Sequence, residues 1–277
     1  MTLSILKIGH AGEPQYRGTN HFARLVISPE NAVENSPFLL MAEDWFAPPA
    51  GFPTHPHRGM ETVTFVVDGQ LLHEDHTGAS GTLSAGAVEF MTAGAGVFHS
   101  EMPGPHGVHS LQLWLNLPAS LKSIPARYSD LDQANAPVYR EAGVEARVYA
   151  GSLGDVHMPY GSTWPITLID LKLDAGITFD LPVPAEQRVF VYLLAGDALL
   201  GIEEQQVTTG HVAWTSIPPA DQLSTLRVSA RTSLRLLMYA SCIINEPIVL
   251  GGPFVMNTEQ EITQAFMDIN SGHFVKS

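Results

Sequence analysis

The stretch Phe52-Pro-Thr-His55-Pro-His57-Arg-Gly59-Met-Glu61 carries two histidines separated by one residue. On an extended strand residues i and i+2 project to the same side, so His55 and His57 can offer two imidazole nitrogens to one ion. Forty-two residues after His57 comes His99-Ser100-Glu101, with the same alternation. A second strand bearing that pair could add an imidazole and a carboxylate, completing a set of three nitrogens and one oxygen. A single His-x-His lines a hairpin or surface loop more often than it holds an ion, and the second pair is what points to a metal. Glu61 competes with Glu101. It shares parity with His55 and His57 and could ligate the ion or accept an imidazole N–H. Spacing alone leaves the two acids open.

Three imidazoles and a carboxylate without a thiolate suit ferrous iron, manganese, nickel, copper or zinc. Four protein ligands on an octahedral ion leave two positions open, which is a catalytic geometry rather than a closed structural one. Other patterns fail on their own chemistry. His99-x-Glu101 opens a zinc-deaminase signature, but that chemistry needs a Cys-x-x-Cys and the chain has 1 cysteine,. His73-Glu-Asp-His76 is one residue short of His-Glu-x-x-His and sits between turn residues, so it reads as a solvated hairpin edge,. Gly94-Ala-Gly96 lacks the last glycine of a dinucleotide loop and reads as a tight corner,.

The elements that must position these residues are short. Apolar or alternating runs such as Thr62–Val67, Val88–Met91, Leu111–Leu117, Val189–Leu194 and Leu234–Ile244 recur between turn residues, and the chain holds 24 Gly and 20 Pro. This is an all-β pattern of sandwich or barrel type. A faint duplication divides it. Thr62–Gly69 resembles Val189–Gly196, and Gly86-Ala-Val-Glu-Phe90 resembles Gly210-His-Val-Ala-Trp214, at offsets of 127 and 124,. Two β units follow, 1–135 and 136–277, with the join in the turn-rich stretch 129–144,. The same offsets carry the His and Glu positions onto Pro182, Pro184, Leu223 and Thr225, so the second unit is expected to be metal-free. Near the C-terminus, Thr258-Glu-Gln-Glu261 has capping-box spacing, and Ile262, Ala265, Phe266 and Ile269 then share one helical face before Asn270-Ser-Gly272,.

Composition narrows the classes. With 14 Lys plus Arg against 28 Asp plus Glu, the net charge of −14 repels phosphate backbones and anionic lipid, so neither direct nucleic-acid binding nor membrane association is expected,. Cys242, in an apolar run, reads as a buried inert thiol,. No basic leader with an apolar core opens the chain, and a cytoplasmic location is expected,.

The residues as a whole resemble the pirin family of the cupin superfamily. The likeness rests on His55-Pro-His-Arg-Gly-Met-Glu-Thr-Val63, on Met91-Thr-Ala-Gly-Ala-Gly-Val-Phe-His-Ser-Glu-Met-Pro103, on Gln112-Leu-Trp-Leu-Asn-Leu117 and on Gly252-Pro-Phe-Val-Met-Asn-Thr258. Residues 144–241 share only the general layout. The resemblance implies two cupin-type barrels with a short C-terminal helix, and one iron in the first barrel held by His55, His57, His99 and Glu101. Glu101 is thereby favoured over Glu61. It also implies a quercetin 2,3-dioxygenase-like activity on a flavonol and O₂, with Glu101 as the catalytic base. A metal-dependent co-regulator acting through a protein partner is the alternative. The chain departs from the wider cupin pattern in that Gly94-Ala-Gly96 stands where a Pro-x-Gly turn is usual.

Overall fold

The computed structural model describes residues 1–159 and 161–275. These fall into two β units, each a barrel of antiparallel strands. No helix is long and apolar enough to cross a membrane.

The first barrel, residues 13–133, 161–163 and 244–275, is organised by two long strands, Met60–Asp75 and Val97–Asn116. They pair from Met60 opposite Asn116 to Asp75 opposite His99. Register shifts between Val66 and Asp68 and between Gly69 and Leu71 bend the pair, as bulges do,. At that bend Gly69 has φ 79°, and a β-carbon there would collide with the Gly107 carbonyl, so only glycine fits,. One end of 97–116 pairs with Phe38–Phe46 and the other with Phe52–His57. Strand 60–75 pairs with Val88–Thr92 and Ser80–Ser84, and Arg127–Leu131 extends the sheet beyond 88–92. Val63, Phe65, Leu111, Leu113 and Leu115 are fully buried, which fixes the register, because a one-residue slip would turn them outward,.

The second barrel, residues 1–12, 134–159 and 164–243, has one large sheet and a four-stranded one. Its core includes Val148, Ile169, Leu171, Val189, Val191, Leu236 and Met238. The duplication is visible at the level of single hydrogen bonds. Gly86 N donates to Val66 O at 2.7 Å, and Gly210 N donates to Leu193 O at 2.9 Å. The two glycines share positive φ, 79° and 84°.

The chain does not follow one cut after residue 135. Strand Ile5–His10 pairs with His211–Thr215 in the second barrel. The tail from residue 244 groups with the first barrel, because its hairpin and helix share an apolar cluster with Phe98. Cys242 is half-buried at the end of its strand rather than buried.

The C-terminal helix spans Glu259–Ser271. Glu261 N donates to Thr258 Oγ1 at 3.2 Å, Thr258 N donates to Glu261 Oε2 at 2.9 Å, and Gly272 closes the helix at φ 75°. Ile262 and Ala265 are buried against Phe254, Met256 and Phe274. Phe266, expected on the same face, is 44% exposed and meets Phe254 edge-on. Thr258→Ala is expected to lower stability by about 1 kcal/mol through the lost cap. An unchanged midpoint in urea denaturation would contradict this.

Candidate metal centre

His55 and His57 lie on Phe52–His57, which pairs with 97–116 so that His55 sits opposite His99. Pro53 and Pro56 interrupt donation from this short strand, and its pairing slips between Phe52 and His55,. The result is a cluster of three imidazoles. Ring centroids are 4.4 Å apart for His55 and His99, 4.9 Å for His55 and His57, and 5.2 Å for His57 and His99. One nitrogen from each ring lies within 4.8 Å of the others.

Their hydrogen bonds show which nitrogens face the common space. The Pro53 carbonyl accepts from His55 Nδ1 at 2.9 Å, and the Pro253 carbonyl accepts from His57 Nδ1 at 3.3 Å. A carbonyl on Nδ1 fixes the tautomer and leaves the Nε2 lone pair for an ion. His57 Nε2 and both His99 nitrogens are buried with no hydrogen-bond partner. Burial also keeps the rings neutral. It pushes His57 down to about 3, with the neighbouring His55 adding to the effect, and pushes His99 down to about 2, with His57 and His55 adding. His55 is lowered by burial as well. At neutral pH no proton competes for the lone pairs, so the donor set fits a divalent transition ion.

Family models match two segments of the chain, that of pirin over residues 10–115 and that of the pirin C-terminal cupin domain over residues 168–275. The chain belongs to the pirin family. A pirin-like protein of Solanum lycopersicum is 37% identical, with 93% of this chain and 88% of that one covered. The pirin of Homo sapiens is 33% identical, with 98% and 92% covered. A crystal structure of quercetin 2,3-dioxygenase from Acinetobacter baumannii is 31% identical and superposes with a TM-score of 0.90 over 99% of each chain.

In this pirin-family barrel Glu101 lies two residues beyond His99, but its carboxylate is not among the atoms gathered by the three rings. Gln112 Nε2 donates to Oε1 at 2.8 Å and to Oε2 at 2.9 Å. Burial, then the charge of Glu89, pushes Glu101 up to about 7. Glu61 is excluded by its partners. Thr92 Oγ1 donates to its Oε1 at 2.5 Å, Thr163 N to Oε1 at 2.7 Å and Ser162 Oγ to Oε2 at 2.8 Å. Its strand neighbours are Thr92 and Leu115, at the far end of 97–116 from His99. Glu61 therefore anchors the short segment Gly161–Thr163. The parity that singled it out does not survive the turn at Gly59.

His73 is not at a solvated edge. It is 5% exposed, with Nε2 hydrogen-bonded to Asp130 Oδ2 at 3.0 Å and Nδ1 3.0 Å from Glu89 Oε2. His73 shares the buried face of its strand with Leu71 and Asp75, and the proximity of two acids to it is a signal that only the fold reveals.

In metal-free protein Glu101 holds its proton more tightly when folded, near 7, than at its ordinary value of 4.5. It therefore contributes stability that is full below pH 4.5 and is lost as pH rises to about 7. Denaturation of wild type against Glu101→Gln at pH 5 and pH 7.5 is expected to show the variant gaining relative stability at the higher pH. A pH-independent difference would contradict the buried, neutral-leaning carboxyl.

Proposed function

We propose that this chain is a metal-dependent dioxygenase that opens the heterocycle of quercetin-like flavonols with O₂, using one ferrous ion held by His55, His57, His99 and Glu101. The observation that carries the reading is the three neutral imidazoles gathered together, with buried nitrogens of His57 and His99 left without a partner. The near full-length likeness to a quercetin 2,3-dioxygenase supports the substrate class. Bound there, the ion would hold the flavonol 3-hydroxyl, acidify it and supply the redox chemistry with O₂.

The chain's own residues supply binding, orientation and proton handling. The Pro53 and Pro253 carbonyls hold His55 and His57 in one tautomer. Gln112 aims the Glu101 carboxylate by donating to both of its oxygens. Buried and held by Gln112, Glu101 would take the substrate hydroxyl proton,. Trp114 packs edge-on against His57 at 5.3 Å and keeps water from that side of the ring.

The test is anaerobic loading with ferrous ion, then quercetin and air, following loss of flavonol absorbance. Turnover is expected in wild type and in the surface control His157→Ala, and a fall of at least a hundredfold in His57→Ala. Ion binding without turnover would overturn the enzyme reading in favour of a metal-dependent interaction protein with a protein partner.

A further inference from the structure

The same barrel holds a second arrangement of metal-capable groups that the proposed reaction does not use. His73 on 60–75, Glu89 on 88–92 and Asp130 on 127–131 each present one atom within 4.8 Å of the others. Asp130 and Glu89 are direct cross-strand partners, so the two acids share a face. Glu89 is fully buried, and neither of its oxygens makes a hydrogen bond. His73 Nδ1 is likewise buried without one, although Glu89 Oε2 stands 3.0 Å away. The contact has the length of a hydrogen bond but not its direction. It also has the separation of two neighbouring ligand atoms, since two metal bonds of about 2.1 Å at right angles span about 3 Å.

The surroundings complete the case. Asp130 takes the opposite ring nitrogen, Nε2, at 3.0 Å, which is how a carboxylate fixes a ligating histidine with its Nδ1 lone pair free,. Gly81 leaves space for that pairing, because a β-carbon there would collide with His73 Nε2 and press on Asp130 Oδ2. Tyr128 stacks on the His73 ring at 5.5 Å and 24°, and its buried hydroxyl has no hydrogen-bond partner. The Asp130 side chain is 38% exposed, giving an ion a way in from solvent.

We infer that His73 Nδ1 and Glu89 bind a second divalent first-row ion, of the zinc or cobalt class, with Asp130 orienting the ring and adding the second negative charge. One imidazole and one carboxylate, with a second carboxylate behind the ring, suit such an ion without selecting among the metals. A proton is the competitor for the same place. Burial works to lower the basicity of His73, but the Asp130 and Glu89 carboxylates outweigh it and push the ring up to about 10. The ion must displace that proton, so binding is best sought in mildly alkaline buffer. This site does not depend on the proposed reaction.

The experiment is titration of the metal-free full chain with Co²⁺ at pH 8.5, read by calorimetry and by the ligand-field absorbance of the bound ion. Wild type is expected to take two ions per chain, the double variant His57→Ala with His99→Ala one, and Glu89→Gln one. Asp130→Asn, at a part-exposed position that tolerates change, is expected to weaken the second ion at least tenfold while folding normally. Two ions in wild type with loss of only the first in the double variant separates this site from the three-histidine one. A single ion in wild type, or the same count in Glu89→Gln and the same affinity in Asp130→Asn, would overturn the inference and leave His73 as a protonated ring clamped by two acids.

Discussion

A buried imidazole nitrogen with no partner costs on the order of 1–3 kcal/mol, and the first barrel places His57 Nε2 and both nitrogens of His99 in that condition side by side. Nothing in the packing of the barrel requires polar groups there, since fully buried Val63, Phe65 and Leu113 show how the same strands fill their core elsewhere. An ion shared among the rings would relieve that cost. Because burial keeps those rings neutral, such an ion would meet free lone pairs rather than protons,. The two effects have one origin: the low-dielectric interior that penalises an empty cluster also prepares it for a cation.

Much of the first barrel serves to hold that cluster in place. The bent pair 60–75 and 97–116 brings His99 opposite His55, and the C-terminal segment returns to fix the loop after His57. Val255 N donates to Arg58 O at 3.0 Å, and Arg58 in turn pairs with Asp268 at 2.6 Å and lies 4.4 Å over the Phe274 ring. Lys122, 2% exposed, donates to Gly59 O, Asn116 Oδ1 and Val255 O, and burial lowers its basicity to about 8. A buried ammonium with three acceptors ties the His57 turn to the tail. The capped helix is thus part of the frame of the site, although it contributes no group to it.

The site was legible in the sequence where the physics is local. The i, i+2 rule placed His55 with His57, and it held because prolines and a short strand keep that stretch extended. The capping box was legible for the same reason, being a contact between residues three apart. The duplication could be read at Gly86 and Gly210 because both turns demand positive φ,. What could not be read depends on chain bending and on return of distant segments. Parity failed for Glu61 across the turn at Gly59, and His73, buried in alternation with Leu71 and Asp75, meets Glu89 and Asp130 from strands distant in sequence. The tail's return to the first barrel rests on Phe98 meeting Phe254, Ile262 and Phe274, an apolar match with no sequence spacing to announce it.

The central claim is that one ion sits among His55, His57 and His99. X-ray absorption on protein loaded with a single equivalent of ferrous ion tests it directly, because imidazole rings give a distinct outer-shell scattering pattern. The expected spectrum contains three imidazoles, falling to two in His99→Ala. An ion surrounded by oxygen alone, or a spectrum indifferent to that substitution, would contradict the account.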